Sequence, residues 1–129
     1  MVLDSSAIVA LLRDEPEADR LRDSISMAPT LMVGAPTLLE TAMVLSRYLG
    51  AGTQTALLDV LTAIDAEVVP FTQEHAEAAQ EAFARFGKGR HPAALNFGDC
   101  MAYAIAKVAG HPLLYVGSDF SQTDVESAG

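Results

Sequence analysis

Residues 95–116, LNFGDCMAYAIAKVAGHPLLYV, decide the fold because they place a helix directly before a strand. The apolar pattern of residues 95–110 predicts a helix with a wide buried face. The apolar run PLLYV at 112–116 then predicts a buried strand. One acidic residue, Asp99, interrupts the apolar pattern of the helix. A charge at such a position is costly unless it is paired, so Asp99 needs a physical explanation.

The rest of the chain alternates strands with helices. Further strands are predicted at VL before Asp4, at LMV (31–33) and at EVVPF (67–71). Further helices are predicted at residues 5–14, 16–27, 36–49, 55–66 and 72–87, with serine caps on the first and a Thr72 cap on the last. Strands that alternate with helices and are apolar on both sides indicate an α/β domain, with a parallel sheet covered on both faces.

Length and composition limit the class of protein. The 129 residues, 50% of them hydrophobic, predict a single domain over residues 1–129. No run reaches the roughly 18 apolar residues of a membrane span. The N-terminus has an acid at position 4 and no basic region before its apolar run, unlike a signal peptide. We therefore expect a cytoplasmic protein. The single Cys100 excludes an internal disulfide and is expected to be a small core residue.

The charge balance restricts the partners. A formal net charge of -9 with only 8 Lys and Arg argues against nucleic-acid binding by a broad basic face. Any nucleic-acid role must be local or metal-assisted, and a basic protein partner would suit the charge. The high apolar content also suggests that another chain covers part of the surface. The segments 17–25 and 43–49 are our candidates for that contact.

Four acids are expected to meet at one edge of the sheet. Asp4, Glu40 and Asp99 each lie inside an apolar run, unlike most other acids of the chain. Asp4 ends the first predicted strand, Glu40 lies in the first turns of its helix, and Asp99 opens another helix. Asp119 follows the last strand. Strand carboxyl ends and the helix N-termini after them share one edge of a parallel sheet, where ligands bind.

A cluster of acids requires a positive charge at its centre. Two carboxylates about 4 Å apart repel by roughly 4 kcal/mol at an effective dielectric near 20, and burial adds several kcal/mol per ion. No His or Cys stands at ligand spacing, so oxygen coordination of Mg²⁺ or Mn²⁺ is indicated. Such an ion lowers the pKa of a bound water and neutralises charge on a phosphoryl oxygen. Metal-assisted phosphodiester hydrolysis is the chemistry that fits.

Simpler structural explanations exist for each acid. Asp99 could be a helix N-cap, worth about 1 kcal/mol. Glu40 could lie at the edge of the buried stripe of its helix and reach solvent. Asp4 is hardest to explain in this way, because no basic residue follows it until Arg13.

Other functions would also place acids at this edge. A phospho-acceptor signalling domain would need a Lys at the end of a late strand, and PLLYVGSDF offers none. A phosphatase with an Asp nucleophile at position 4 would need a second Asp where Ser6 stands. A binding module without chemistry would leave the acids unexplained.

Three segments together resemble PIN-domain ribonucleases of the VapC toxin type. They are VLDSSAIVALLRDEP (2–16), LLETAMVL (38–45) and LNFGDCMAYAIAKVAGHPLLYVGSDFSQTDV (95–125). The resemblance covers nearly the whole chain and is most specific in its last third. It implies a PIN-like three-layer α/β/α sandwich with a central, mostly parallel sheet. It also implies a Mg²⁺- or Mn²⁺-dependent endoribonuclease, cutting tRNA or rRNA, that forms a homodimer and is blocked by a cognate basic antitoxin.

The resemblance also assigns roles to residues. Asp4, Glu40 and Asp99 fall on the acidic metal-binding positions of the family. Ser6 falls on its small hydroxyl near the site, although Ser6 could equally be only a helix cap.

The fourth acid departs from the broad family pattern. The usual position is Gly117 here, and Asp119 directly precedes Phe120. The GSDF form resembles one toxin subgroup, so Asp119 is expected to be the fourth acid, with Asp124 as the fallback. Alternatively, the two aspartates only shape the turn.

The segment GKGRHP (87–92) is the one local cluster of basic residues. Lys88, Arg90 and His91 are expected to reach the phosphates of a bound RNA, although the segment could equally be a solvated loop. A catalytic-base role for His91 is not needed if a metal hydroxide attacks. His75 is expected to be a surface helix residue.

Overall fold

The computed structural model describes all 129 residues and contains one four-stranded sheet. Its strands are β1 (Val2–Leu3), β2 (Met32–Gly34), β3 (Glu67–Val69) and β4 (Leu113–Leu114). Its helices are α1 (Ser5–Leu12), α2 (Ala18–Met27), α3 (Ala35–Leu49), α4 (Thr53–Ala63), α5 (Gln73–Phe86) and α6 (Phe97–Ala109), with a 3-10 turn over Gly50–Gly52. Every strand pair is parallel, which confirms the predicted class.

The sheet separates two hydrophobic clusters. Successive residues of a strand point to opposite faces, so Leu3 packs with the layer of α1 to α4 and Val2 with the layer of α5 and α6. Leu114 and Leu113 divide in the same way. Each fully buried side chain of this size contributes about 1.5–3 kcal/mol. The predicted three-layer α/β/α sandwich is therefore confirmed.

The strand order fixes where a ligand can bind. The order is β3-β2-β1-β4, so the chain runs outward from β1 to β3 and then returns to the other side of β1. The strand order therefore reverses at β1, and ligands bind at the carboxyl ends of the strands at such a point. Asp4 directly follows β1, and Asp119 lies in the segment after β4.

Several element boundaries differ from the sequence prediction, and two of these differences lie beside Ser6. The N-cap of α1 is Asp4, not a serine, because an Asp4 carboxylate oxygen accepts from the Ser6 backbone N–H. Strand β4 ends at Leu114 instead of 116, since the backbone N–H of Val116 donates to the Ser6 hydroxyl and not to a strand.

The expected surface position of His75 is wrong. Its side chain is buried, because its Nδ1 accepts from the backbone N–H of Thr72 at 3.0 Å and its ring stacks on Phe71 at 5.4 Å. Thr72 and His75 form a reciprocal cap at the start of α5. Glu or Gln usually takes the position of His75 in such a cap, so the residue type concealed its role.

The junction between β2 and α3 lies unusually close to α6. Gly34 is the N-cap of α3, and a Cβ built there would stand 2.6 Å from Cγ1 of Ile105. Ile is stiff at χ1, so it has little freedom to move aside. Glycine at position 34 therefore sets how closely α3 approaches α6.

The surface retains several large apolar side chains. Those on α3 and at the start of α6 include Leu39, Met43, Tyr48 and Phe97. Segment 43–49 is thus apolar and exposed at Met43 and Tyr48, whereas segment 17–25 buries Ala18 and Leu21 in the core. Cys100 is buried, as expected. No helix has the combination of length and hydrophobicity that a membrane crossing requires.

Candidate active site

Asp4 is the most deeply buried acid of the chain, with 4% of its surface exposed. One carboxylate oxygen, Oδ2, accepts from the Ser6 backbone N–H at 3.1 Å and from the Ser6 hydroxyl at 2.6 Å. The other oxygen, Oδ1, is buried without a hydrogen-bond partner. Burial raises the pKa of Asp4, and the nearby charge of Glu40 raises it further, against the hydrogen bonds from Ser6. An orphaned buried oxygen of this kind calls for a cation or another donor.

Ser6 connects the ends of two strands. Its hydroxyl donates to Asp4 Oδ2 and accepts from the backbone N–H of Val116 at 3.0 Å. Ser6 lies within the first turn of α1 and is not its cap. Its side chain therefore orients the Asp4 carboxylate from the end of β4.

Asp99 takes part in the cap of α6 but is not its N-cap. The cap of α6 is Asn96, whose Oδ1 accepts from the Asp99 N–H, while Asp99 Oδ2 accepts from the Asn96 N–H at 3.0 Å. The second Asp99 oxygen makes no hydrogen bond within the protein and is free for a ligand. Burial raises the pKa of Asp99 to about 6, with the charges of Asp4, Asp119 and Glu40 adding to the rise. The four acids thus lie close enough to influence one another.

Glu40 lies on α3 with its carboxylate against the backbone of α6. It makes no hydrogen bond or salt bridge, and a Cβ built on Gly98 would overlap the carboxylate, standing 2.6 Å from its Cδ. Only glycine at position 98 leaves room for Glu40 beside Asp99. The sequence analysis missed this residue. Its signal was a glycine inside a helix, which costs about 1 kcal/mol relative to alanine.

The two candidates for the fourth acid have different surroundings. Asp119 is exposed, and its charge contributes to the raised pKa of Asp99. Asp124 accepts from the Tyr103 hydroxyl at 2.6 Å and pairs with Arg85 and Lys107 at 3.2 Å each. Burial acts to raise the pKa of Asp124, but the hydrogen bonds from Tyr103 and Lys107 lower it overall. Asp124 fastens the C-terminal segment to α5 and α6, whereas Asp119 makes no such bond and acts on Asp99 through its charge.

This difference gives a paired prediction. We expect Asp119→Asn to weaken metal binding and lower RNA cleavage about tenfold to a hundredfold, because it removes an acid of the site. We expect Asp124→Asn to keep cleavage within about threefold and to lower the free energy of unfolding by about 1 kcal/mol, because a hydrogen bond from buried Tyr103 is weakened. Cleavage rates and urea unfolding of both variants test this, and the opposite ranking of the two cleavage rates would reverse the assignment.

The basic segment before α6 does not touch the acids. Arg90 stacks over the ring of Phe83 at 5.2 Å. His91 accepts from the backbone N–H of Ala93 at 3.0 Å and packs edge-on to Phe86. His91 therefore shapes the loop, while the Lys88 side chain makes no ion pair.

A further cation was missed by the sequence analysis. Arg47 lines a groove with Glu40, between α3 and the start of α6. Five of the eight Lys and Arg side chains bond to carboxylates or backbone carbonyls, namely Arg13, Arg20, Arg22, Arg85 and Lys107. The remaining three are Arg47, Lys88 and Arg90, none of which forms an ion pair.

The donor set fits a hard divalent cation. All donors are carboxylate oxygens, and Oδ1 of Asp4 has no other partner. No three His, Cys, Asp or Glu side chains already stand close enough together to hold an ion. Mg²⁺ does not require such a cage, since it is commonly bound by one or two carboxylates and several waters. The arrangement matches that mode of binding.

Comparisons with known proteins agree with the geometry. The PIN domain family model matches residues 1–126. The protein "Ribonuclease VapC36" of Mycobacterium tuberculosis is 46% identical over 130 residues, which cover 100% of this chain and 94% of the relative.

Solved structures share the fold at lower identity. Mycobacterium tuberculosis VapC20, described as a sarcin-ricin loop cleaving toxin, has a TM-score of 0.77 and 21% identity, over 96% of this chain and 95% of that one. VapBC2 from Rickettsia felis, bound to a DNA fragment from its promoter, has a TM-score of 0.74 and 13% identity, over 98% and 94%.

Proposed function

Because this chain belongs to the PIN-domain family and, within it, to the VapC ribonucleases, we propose that it cleaves RNA at the edge formed by Asp4, Glu40, Asp99 and Asp119. It acts as the toxin of a toxin-antitoxin pair, with tRNA or rRNA as substrate. The observation that supports this site most directly is the Oδ1 atom of Asp4, which is buried without a hydrogen-bond partner. The charges of Asp4, Glu40 and Asp119 also contribute to the raised pKa of Asp99.

The proposed cofactor is Mg²⁺ or Mn²⁺. Asp4 and Asp99 would hold the ion, each with one oxygen free of hydrogen bonds, and Glu40 and Asp119 would complete its environment. When bound, the ion supplies a Lewis acid for the phosphoryl oxygen and a water of lowered pKa.

Hydrogen bonds within the chain position the two carboxylates that are proposed to hold the ion. The Ser6 hydroxyl and backbone N–H hold Asp4 by one oxygen, and the Asn96 backbone N–H holds Asp99 in the same way. These bonds orient each carboxylate by one oxygen and leave its other oxygen available to the proposed ion. Lys88 and Arg90 form no ion pairs and are the proposed contacts to RNA phosphates. His91, in the same loop, and Ser6, which holds Asp4, are proposed to lie near the bound RNA.

The partners are proposed from charge and surface. A net charge of -9 suits a basic antitoxin, and a solved structure of the same fold, from Klebsiella pneumoniae, is described as a toxin-antitoxin complex. The exposed apolar residues of segment 43–49 are available for the antitoxin or for a second copy in a homodimer. The proposed location is the cytoplasm.

A cleavage assay tests the proposed function. Purified antitoxin-free protein is incubated with a mixture of tRNA and rRNA in Mg²⁺ or Mn²⁺, and in parallel with EDTA. We expect discrete RNA fragments only in the presence of metal. A folded protein that cuts no RNA with either metal would shift the assignment to a Mg²⁺-binding phospho-acceptor domain or to a binding module.

The acids also predict how stability depends on pH. The folded-state pKa of Asp99, about 6, lies above its ordinary value of 3.8, so the folded protein binds more protons than the unfolded chain between those values. We expect the metal-free protein to unfold at a higher temperature at pH 5 than at pH 7.5. Asp124, whose pKa is lowered, stays ionised throughout this range.

Thermal unfolding in EDTA and in Mg²⁺ measures this effect. Mg²⁺ is expected to raise the melting temperature more at pH 7.5 than at pH 5, because protons compete for the same carboxylates. Asp99→Asn should flatten the pH dependence. A metal-free protein that gains stability from pH 5 to pH 7.5 would contradict the clustering of the acids.

A further inference from the structure

Phe97 is exposed at the entrance to the acidic site. It is the first residue of α6, two positions before Asp99, and 80% of its surface is accessible to solvent. Most of its ring is therefore in contact with solvent. An exposed phenylalanine beside catalytic acids suggests contact with another molecule.

Two grooves meet at this ring. The first, about 560 Å³, lies between α3 and α6, and its lining includes Glu40, Met43, Arg47 and Phe97. The second, about 490 Å³, lies between α5 and α6 and shares Phe97 with the first. Both volumes fall within the roughly 300–1,000 Å³ of sites for small ligands. Phe97 thus stands between two spaces of a size suited to single nucleotides.

The free cations lie around the same ring. Arg47 lines the first groove and has no ion-pair partner. Arg90 stacks over Phe83, which lines the second groove. A phosphate on either side of the ring would have a guanidinium available.

We propose that Phe97 stacks on an unpaired nucleobase next to the cleaved phosphodiester, and that Arg47 contacts an adjacent phosphate. This inference rests on the proposed ribonuclease function and names the contacts by which RNA is held. A chain with net charge -9 has little electrostatic attraction for RNA, so affinity must come from another source. Stacking on an aromatic ring supplies it, because every base has a π face.

The occupant is assigned as RNA for a specific reason. The ring lines one groove together with Glu40, and Asp99 lies two positions further along the same helix, so RNA in this groove would lie beside the proposed acids. The groove combines an aromatic ring with a free guanidinium, which matches a base and its phosphate. Phe97 is therefore a positioning residue for the substrate and is not part of the chemical step.

Kinetics of four variants test the stacking. Phe97→Ala is expected to raise KM for the cleaved RNA about tenfold or more and to leave kcat within about threefold, because one stacked base is lost. Phe97→Tyr should restore the wild-type KM, and Phe97→Leu should not, since it keeps apolar area without a π face. Leu58→Ala on α4, a site 63% exposed and far along the chain, is the matched control and should change neither constant. Full activity of Phe97→Leu would overturn the stacking.

Fluorescence gives a readout independent of cleavage. The chain contains no Trp, so Phe97→Trp introduces a single reporter at the site. In an Asp4→Asn background, which leaves RNA uncut, we expect an oligonucleotide spanning the mapped cleavage site to quench this fluorescence. An abasic nucleotide next to the cleaved bond should remove most of the quenching. Leu58→Trp in the same background should show none.

The outcomes separate this inference from the proposed function. Wild-type protein that cuts no RNA would refute the ribonuclease proposal and this inference with it. Two results would overturn the stacking alone, provided that the wild-type protein cleaves RNA. One is an unchanged KM in Phe97→Ala. The other is RNA whose binding is detected by fluorescence anisotropy but which does not quench the fluorescence of Phe97→Trp. In that case, weaker binding of a basic antitoxin peptide by Phe97→Ala would assign the ring to a protein partner.

Discussion

Asp99→Asn is expected to lower metal-dependent RNA cleavage about a thousandfold or more while the fold is kept. The loss follows because one ligand of the proposed ion is neutralised, and metal stabilisation of the transition state is worth several kcal/mol, at about 1.4 kcal/mol per tenfold in rate. The fold is kept because an Asn oxygen at position 99 can still accept from the Asn96 N–H and close the cap of α6. Single-turnover cleavage and far-UV circular dichroism measure the two effects.

The same substitution should stabilise the protein when metal is absent. Asn carries no charge, so its burial costs less, and the repulsion from Asp4, Glu40 and Asp119 disappears. We expect a higher melting temperature for Asp99→Asn than for wild type at pH 7.5 in EDTA. Asp59→Asn, at an exposed position of α4, is the matched control and should change neither activity nor melting temperature. Undiminished metal-dependent cleavage by Asp99→Asn would remove Asp99 from the site.

Gly98→Ala is expected to lower cleavage about tenfold to a hundredfold without a loss of stability. A methyl group at position 98 occupies the space of the Glu40 carboxylate, so Glu40 must leave its place beside Asp99. A displacement of about 1 Å in a catalytic group can cost about a hundredfold in rate. The carboxylate is the end of a flexible side chain, and alanine favours a helix over glycine by roughly 0.5–1 kcal/mol.

A second glycine provides the control for this experiment. A Cβ on Gly52 would meet no atom within 4 Å, so Gly52→Ala should leave cleavage unchanged. Urea unfolding and cleavage rates are measured for both variants. If Gly98→Ala cleaved RNA at the wild-type rate, the position of Glu40 would not matter for catalysis.

The sequence was sufficient to predict the layers of the fold and the strand ends after which Asp4 and Asp119 lie. Parallel strands followed by helices leave few places for polar groups after β1 and β4, so Asp4 and Asp119 were expected at one edge. That expectation needed only strand order and the apolar pattern on both sides of each strand. Asp4 stood out because its neighbours in the chain are all apolar or small.

The details that depend on contacts between distant segments were not predicted. The Ser6 hydroxyl binds the end of β4, and Gly98 makes room for Glu40 on α3. The Ser6 contact has no signature within its own segment, and the glycine at position 98 does not reveal which side chain it accommodates. The buried cap formed by His75 was missed because local propensity describes a helix start but not which side chain closes it.

Arg47 was missed for a related reason. The sequence shows it among the polar residues of α3, where a solvated arginine is usual. Its importance appears only when the start of α6 lies beside α3 and encloses a groove. The prediction of RNA contacts at residues 87–92 relied on basic residues that are neighbours in the sequence. It therefore overlooked Arg47, which lies on another helix.

The close approach of Gly34 to Ile105 has a consequence for how this chain can evolve. The two helices with Glu40 and Asp99 come from opposite layers of the sheet, and the separation of those layers beside the site is set by the combined volume at positions 34 and 105. A larger residue at 34 is tolerable only with a smaller one at 105, such as valine or alanine. We therefore expect these two positions to change together among related sequences, although neither carries a functional group.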